Sequence, residues 1–337
     1  MSILVTGGTG YIGSHTVVEL LKYGKDVVIL DNLSNSKIDV LGSIKELTNK
    51  SPKFYKINYL DKEKLREIFK ENNIEMVINF AGFKAVGESV AKPLMYYNNN
   101  VGGAINLLEI MQEFGVKNFI FSSSATVYGD PATVPITEEC KVGGTTNPYG
   151  TSKFMIERIL EDLYNSDNSW NICILRYFNP VGAHESGLIG ENPKGIPNNL
   201  MPYITKVANG ELETLNVYGD DYNTKDGTGV RDYIHVVDLA NGHIKAMEKL
   251  EKEKSGLYIY NLGTGVGYSV LEIVKNFEKI NNVKVNYKIT DKRSGDIATC
   301  YTNPDKSFKE LGWKAEKGIE DMCRDSWNYT KKQNKII

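Results

Sequence analysis

Tyr149 and Lys153 stand four residues apart. On a helix that opens at Tyr149, this spacing sets the phenol and the ammonium on one face, within reach of the same ligand. A phenol titrating near pH ~10 is a poor base at neutral pH, and a nearby cation favours the phenolate. The pair therefore suggests a proton acceptor. A short motif of two common helix-surface residues is equally a solvated lysine beside a half-buried ring, so its neighbours decide. One neighbour is Ser124, at the end of the run Ser122-Ser-Ser124, where a hydroxyl can hydrogen-bond the same substrate oxygen as Tyr149.

The elements that would hold these groups begin at the N-terminus. Ile3–Thr6 reads as a short buried strand, followed by Gly7-Gly-Thr-Gly10-Tyr-Ile-Gly13 and a helical pattern through Val17, Val18, Leu20 and Leu21. Gly7 permits the tight turn, Gly10 lets backbone approach a pyrophosphate, and Gly13 lets helix pack on sheet. The second strand, Val27–Leu30, ends on Asp31, whose carboxylate suits both ribose hydroxyls and repels a 2'-phosphate, favouring NAD over NADP. Asn32, Asn35 and Ser36 are polar neighbours for the adenosine half. Further strands are expected at 54–57, 76–79, 118–122 and 172–175, with a helix at 62–70 between the third and fourth, which implies a parallel sheet. The fourth strand leads to Phe80-Ala81-Gly82 and Lys84, and Pro93 opens a helix to about Phe114 that carries Asn99. The rest of the Asn98–Asn100 run reads as helix-surface and loop polarity. Asn147-Pro148 leads into the helix of Tyr149, which reaches about Tyr164.

After Asn179 the alternation stops, and residues 183–230 are rich in Gly, Pro and Asn. Tyr258–Leu262 reads as another strand of the main sheet. The expected architecture is α/β: a doubly wound parallel sheet over 1–179, joined by the strand near 258–262, with a smaller, mostly C-terminal α+β lobe over 180–337. Helices at 271–279 and 319–329 finish the chain.

Composition excludes several classes. The 337 residues carry 41% hydrophobic and 24% charged side chains, a balance suited to a sizeable core. A net charge of -2 from 40 basic and 42 acidic residues gives no field for nucleic acid or an anionic membrane. No apolar run reaches the ~18–20 residues that span a bilayer, and no signal peptide is visible, so a cytoplasmic location is expected. Cys140, Cys173, Cys300 and Cys323 lack C-x-x-C spacing and the four histidines are scattered, so no metal site is expected. His15 and His243 fall on helices, and His235 on an apolar strand reads as structural.

Taken together, the glycine motif, Asp31, Ser124 and Tyr149-x-x-x-Lys153 resemble the extended short-chain dehydrogenase/reductase superfamily. Longer blocks narrow the likeness: Phe80-Ala-Gly-Phe-Lys-Ala-Val-Gly-Glu-Ser89, Phe121-Ser-Ser-Ser-Ala-Thr-Val-Tyr-Gly129, Leu175-Arg-Tyr-Phe-Asn-Pro-Val-Gly-Ala183, Gly195-Ile-Pro-Asn-Asn-Leu-Met-Pro202 and Asp226-Gly-Thr-Gly-Val-Arg-Asp-Tyr-Ile-His235. These look like the UDP-glucose 4-epimerase family and span nearly the whole chain.

That resemblance implies interconversion of UDP-galactose and UDP-glucose on a tightly bound NAD. Tyr149 would take the proton of the sugar 4-hydroxyl while C4 is oxidised, and the 4-keto sugar would turn over before reduction on its other face. Lys153 would hold the nicotinamide ribose and lower the phenol pKa, and Ser124 would pass or orient the proton. By the same resemblance Gly7, Gly10, Tyr11, Ile12, Gly13, Asp31, Asn32, Asn35, Ser36, Asn58, Tyr59, Phe80, Ala81, Gly82, Lys84, Asn99, Ser122, Tyr177 and Phe178 belong to the cofactor site. Asn179, Asn199, the Leu200 backbone, Tyr218, Arg231, Arg293, Asp296 and Cys300 belong to the UDP-sugar site, with the arginines on the pyrophosphate and Tyr218 against uracil.

Two positions carry further expectations. Asn58 stands where relatives often have Asp facing adenine, which removes a charge. Cys300 stands where relatives restricted to plain hexoses have tyrosine, so room for a 2-acetamido group is expected, and with it UDP-GlcNAc and UDP-GalNAc as substrates. The family also implies a homodimer through helices 93–114 and 149–164. A nucleotide-sugar 4,6-dehydratase or decarboxylase is the rival enzyme, but Ser124-Ala-Thr126 lacks the additional acid that elimination needs. A non-catalytic NAD-binding scaffold need not keep Ser124, Tyr149 and Lys153 together.

Overall fold

In the computed structural model, which describes residues 2–293 and 295–335, the chain divides into two compact units. The first takes residues up to Asp130, Lys141–Tyr177 and Ala240–Tyr260; the second takes Pro131–Cys140, Phe178–Leu239 and the chain from Asn261 onward. The chain thus passes between the units at 130/131, 140/141, 177/178, 239/240 and 260/261.

Seven strands form the main sheet of the described residues: β1 (Ser2–Thr6), β2 (Asp26–Asp31), β3 (Lys53–Lys56), β4 (Ile74–Asn79), β5 (Asn118–Ser124), β6 (Asn171–Tyr177) and β7 (Gly256–Leu262). Their order is β7-β6-β5-β4-β1-β2-β3. The pairs from β3 through β6 are parallel, with Thr6 level with Leu30 on one side and Asn79 on the other. Strands covered on both faces must be largely apolar, which is why β1, β2, β4 and β6 stand out in the sequence as short runs of Val, Ile and Leu. The order reverses beside β1, and the crevice at the carboxyl ends of β1 and β4 is where such sheets take ligands.

Helices cover the sheet: α1 (Tyr11–Lys22), α2 (Lys62–Glu71), α3 (Gly103–Glu113), α4 (Pro148–Ser166) and α5 (Val236–Lys252). Asp61 caps α2 by accepting from the Lys64 amide at 3.2 Å. One core joins Leu4, Val77, Phe119, Phe121, Leu107, Leu160 and Trp170. Each side chain of this size contributes ~1.5–3 kcal/mol on full burial. The helix expected from Pro93 to Phe114 is present with a change of winding: Pro93–Tyr96 is α-helical, Tyr97–Gly102 is a π-helix, and α3 comes next. A π turn inserts a residue and rotates the rest of the helix, so it re-aims side chains at functional places.

The second unit centres on the strand Val230–His235. It pairs in parallel with Asn179–Val181 and Thr299–Cys300, and antiparallel with Gly267–Ser269. A two-stranded ribbon joins Leu215–Tyr218 to Tyr287–Thr290. Met201, Ile204, Val217, Phe277 and Trp327 make its own core. Buried Asp232 accepts from the amides of Thr264 (2.8 Å), Gly265 (3.0 Å) and Thr302 (3.2 Å), fixing the loops around that strand. His235 is structural, as expected: its Nδ1 accepts from the Val237 amide, and Nε2 donates to Asp325 at 3.2 Å. No described helix is long and apolar enough to cross a membrane.

Candidate active site

The turn between β1 and α1 leaves backbone exposed where a phosphate can come close. A Cβ on Gly13 would lie 2.2 Å from the Gly7 carbonyl oxygen, and Gly7 holds φ +69, so neither position admits a side chain without rearrangement. Gly10 is the N-cap of α1, so the positive end of the helix and the N–H groups of its first turn lie at the glycine loop. This cradle fits a pyrophosphate. At the end of β2, buried Asp31 accepts from Thr9 N (3.2 Å), Leu33 N (2.8 Å) and Ser36 Oγ (3.1 Å). A carboxylate has about four acceptor positions, so it keeps capacity for a ribose hydroxyl.

Other expected cofactor residues divide between the rim and the core. Asn32 and Asn58 turn their amide oxygens to Ser34 N and Leu60 N, at 2.9 and 3.0 Å, while Asn35 is exposed. Tyr11 packs edge-on against His15, and Lys84 Nζ lies 5.9 Å from the Tyr11 ring centroid. Ile12 succeeds Tyr11 in the first turn of α1. At the switch point Thr6 Oγ1 donates to Asn79 Oδ1 at 2.6 Å and accepts from Ala81 N at 3.3 Å, fixing the Phe80-Ala81-Gly82 backbone. Tyr59 lies inward: its ring is buried beneath Gly103, and its hydroxyl donates to the Asn99 carbonyl at 2.6 Å.

Local capping builds the catalytic helix. The Asn147 side chain accepts from Gly150 N at 2.9 Å and Pro148 takes the first turn of α4, whose missing N–H costs nothing there. Tyr149 is thereby held in that first turn. Its hydroxyl is hydrogen-bonded to Ser124, which also accepts from Thr126 N (3.3 Å) and Thr126 Oγ1 (3.0 Å). Burial pushes the phenol above its ordinary range, and the Ser124 bond and the Lys84 charge pull it back.

The Lys84 charge lowers the Tyr149 phenol, while Lys153 donates to the Ser122 carbonyl, 2.7 Å from its Nζ, and lies 4.9 Å from the Phe121 ring centroid. Burial lowers the Lys153 ammonium to about 8, and Glu157 opposes the fall.

Sequence reasoning missed the shell behind these groups. Asn100, expected at a polar surface, is buried: its Oδ1 accepts from Phe83 N (2.8 Å) and Asn99 Nδ2 (3.0 Å), and its Nδ2 donates to Phe83 O (3.0 Å) and Ser152 Oγ (3.1 Å). Tyr177 bonds His243 Nε2 and Ser122 from β6, and His243 also packs on the Phe80 ring at 4.8 Å. Phe178, the first residue of the second unit after β6, donates its amide to the Leu262 carbonyl at 3.2 Å.

In the second unit three of the expected substrate residues, Asn179, Arg231 and Cys300, lie on one strand and its two parallel neighbours. Arg231 pairs in register with Cys300 and donates to the Val230 carbonyl at 2.9 Å, and Asn179 pairs with Tyr233 on the other side. Arg293 Nε donates to Asp296 Oδ2 at 2.8 Å, and its guanidinium lies 4.7 Å from the Tyr218 ring centroid. Burial pushes the Tyr233 phenol up to about 12, and both arginines oppose the rise. Asn199 is the N-cap of the helix Leu200–Ala208, and its amide donates to Glu191 at 2.7 Å. Burial raises the Cys300 thiol to about 11, so it is a small apolar wall rather than a nucleophile. Among the described residues no group of three His, Cys, Asp or Glu could hold a metal ion.

Comparison with known proteins agrees with this arrangement. A UDP-glucose 4-epimerase of Haemophilus influenzae is 62% identical over 335 residues, covering 99% of both chains. One from Bacillus subtilis is 60% identical, covering 98% of this chain and 96% of its own. The crystal structure of UDP-glucose 4-epimerase from Bifidobacterium longum, in complex with NAD+ and UDP, superposes with a TM-score of 0.97 at 55% identity, covering 99% of each chain. Residues 3–263 match the NAD dependent epimerase/dehydratase family, and the chain belongs to it.

Proposed function

We propose that this protein interconverts UDP-galactose and UDP-glucose through a transient 4-keto sugar, on an NAD that it retains. The observation that carries the reading is the Tyr149–Ser124 hydrogen bond at the carboxyl edge of a sheet whose first turn is a pyrophosphate cradle. When bound, NAD accepts and returns the hydride at C4. The chain supplies the rest. Tyr149 takes the proton of the 4-hydroxyl as general base and gives it back to the same oxygen after the sugar has turned; Ser124 orients that oxygen. Asp31 and the cradle hold the adenosine half. Arg231 and Arg293 meet the pyrophosphate with charge-assisted bonds, and Asn179, Asn199, Leu200, Tyr218 and Asp296 hold the remaining UDP contacts, leaving the pyranose loosely bound. Asn58 would meet adenine without a charge, through the amide oxygen that also accepts from Leu60 N at 3.0 Å.

The buried, small Cys300 beside Arg231 supports a wider pocket, so UDP-GlcNAc and UDP-GalNAc are substrates as well. A homodimer through the helices of the first unit is supported by apolar side chains left in water there, Leu94 at 82% and Val90 at 62% exposure. A cytoplasmic setting accords with four free cysteines. Elimination finds no support, because positions 124–126 are Ser, Ala and Thr.

The test is to incubate the purified protein with UDP-galactose and no added nucleotide. UDP-glucose should appear, and NAD should be recovered after denaturation. Absence of both products would overturn the reading. Leu94→Glu should convert the dimer to monomer in sedimentation.

A further inference from the structure

Behind Lys153 lies a charged cluster that the proposed reaction does not use. Glu157 lies four residues beyond Lys153 and eight beyond Tyr149 on α4, so the three share one face of the helix. Its carboxylate is held by a two-point clamp from Arg176 on β6, with Nη2 2.7 Å from Oε2 and Nε 3.1 Å from Oε1. Ser123, level with Arg176 across the β5–β6 ladder, donates its hydroxyl to Oε1. Arg176 in turn donates from Nη1 to the Tyr128 hydroxyl at 2.9 Å and stacks on that ring, 4.9 Å from its centroid. Both members of the ion pair have only 3% of their side-chain surface exposed.

Such a pair is a poor device for stability alone, since desolvating two charges offsets much of their attraction. Its position suggests another use. Consecutive residues of β5 fasten the two charged groups of α4: Ser122 receives the Lys153 ammonium through its carbonyl, and Ser123 holds Glu157.

We infer that Glu157 is a positioning residue for Lys153: a carboxylate locked by Arg176 and Ser123 that keeps a fixed negative charge one helical turn behind the lysine, so that the lysine presents an ammonium to the cofactor ribose. This rests on the proposed role of Tyr149 and on the hold of Lys153 on the nicotinamide ribose that the family resemblance implies. The surroundings single out Glu157. Titratable or charged groups on the elements packed about Lys153 are Tyr149, Glu157, Arg158, Glu161, Asp162 and Tyr164 on its own helix, Cys173, Arg176 and Tyr177 on β6, Tyr128 after β5, Lys84 after β4, and Glu88, Lys92, Tyr96 and Tyr97 on the helices from 86 to 102. Of these, Glu157 is the one that raises the lysine against the effect of burial. Lys84 and Tyr96 act at the Tyr149 end.

The test reads Lys153 directly. In the NAD-bound full-length protein labelled at lysine Cε, the Lys153 resonance is tracked against pH and assigned by its loss in Lys153→Arg. In parallel, the alkaline limb of kcat is recorded. Glu157→Gln should lower the Lys153 midpoint by about one pH unit and move the limb with it. Arg176→Lys, which disturbs the clamp but keeps both charges, should leave the midpoint within a few tenths of wild type. If Glu157→Gln does not fold, the neutral pair Glu157→Gln with Arg176→Gln should show a smaller fall in the same direction, because the opposing Arg176 charge is lost with the carboxylate. An unmoved midpoint in whichever carboxylate-free variant folds, or an equal fall in Arg176→Lys, overturns the inference. A wild-type protein without turnover would refute the proposed reaction, while the resonance midpoints would still decide the role of Glu157.

Discussion

Asn100 and Ser152 are joined by a hydrogen bond of 3.1 Å, so that the π-helical turn is tied to the helix that carries Tyr149. The same amide side chain brackets Phe83 from both its N–H and its carbonyl, at 2.8 and 3.0 Å. One residue therefore sets both the loop that bears Lys84 and the helix that bears the phenol. Ser152 completes the path by donating to the Tyr149 carbonyl at 2.7 Å.

Asn100→Ala leaves the Phe83 backbone without its partner, and an unsatisfied buried group costs about 1–3 kcal/mol. Lys84 would also lose its fixed distance to Tyr149. The expected outcome is a fall of several degrees in Tm and about a tenfold fall in kcat, with Asn100→Asp intermediate because the acceptor survives. A melt and a turnover rate both equal to wild type would show that the bracket is idle.

Tyr149→Phe removes the phenol oxygen and its bond to Ser124 while keeping the ring. A positioned general base contributes about 10²–10⁴ in rate, so turnover should fall by about a thousandfold. UDP affinity, measured by calorimetry, should change little. Inversion of C4 at an undiminished rate would end the assignment of Tyr149 as base.

Gly103→Ala sets two effects against each other. Alanine favours a helix by up to about 1 kcal/mol over glycine. Its Cβ, however, would lie 2.2 Å from the Tyr59 ring, and overpacking costs about 1–3 kcal/mol. Steric conflict should win, lowering Tm. A stabilised variant in thermal denaturation would mean that the ring moves freely.

Cys300→Tyr fills the space beside Arg231. Activity on UDP-GlcNAc and UDP-GalNAc should fall by about tenfold or more, the discrimination a filled pocket gives, with a much smaller fall on the hexose pair. Equal rates on the acetamido pair before and after the change would remove the steric argument.

Much of the frame was legible from residue order. The strands β1, β2, β4 and β6 announce themselves because parallel strands buried on both faces must be largely apolar, and Asn147-Pro148 marks the start of the catalytic helix by chemistry that only a helix terminus rewards. The glycine turn was legible for the same reason: its position between strand and helix leaves few other uses. What stayed hidden depends on partners far away in sequence. Asn100 has the polarity of a surface residue, and only Phe83 and Ser152 make it a buried bracket. Glu157 lies on the face that the Tyr149–Lys153 spacing defines, yet Arg176 on another strand is needed to see its use. Spacing also could not show that the Ser122 carbonyl accepts from Lys153, or that Pro131–Cys140 joins the second unit.

The edge strand β7 pairs with β6, yet the whole segment Phe178–Leu239 intervenes in the chain and belongs to the second unit. During synthesis β6 must therefore leave the ribosome long before its neighbour, presenting an open row of peptide groups to any passing strand. A polypeptide terminated after Tyr177 would keep that open row permanently, and should be found in aggregates or held by chaperones.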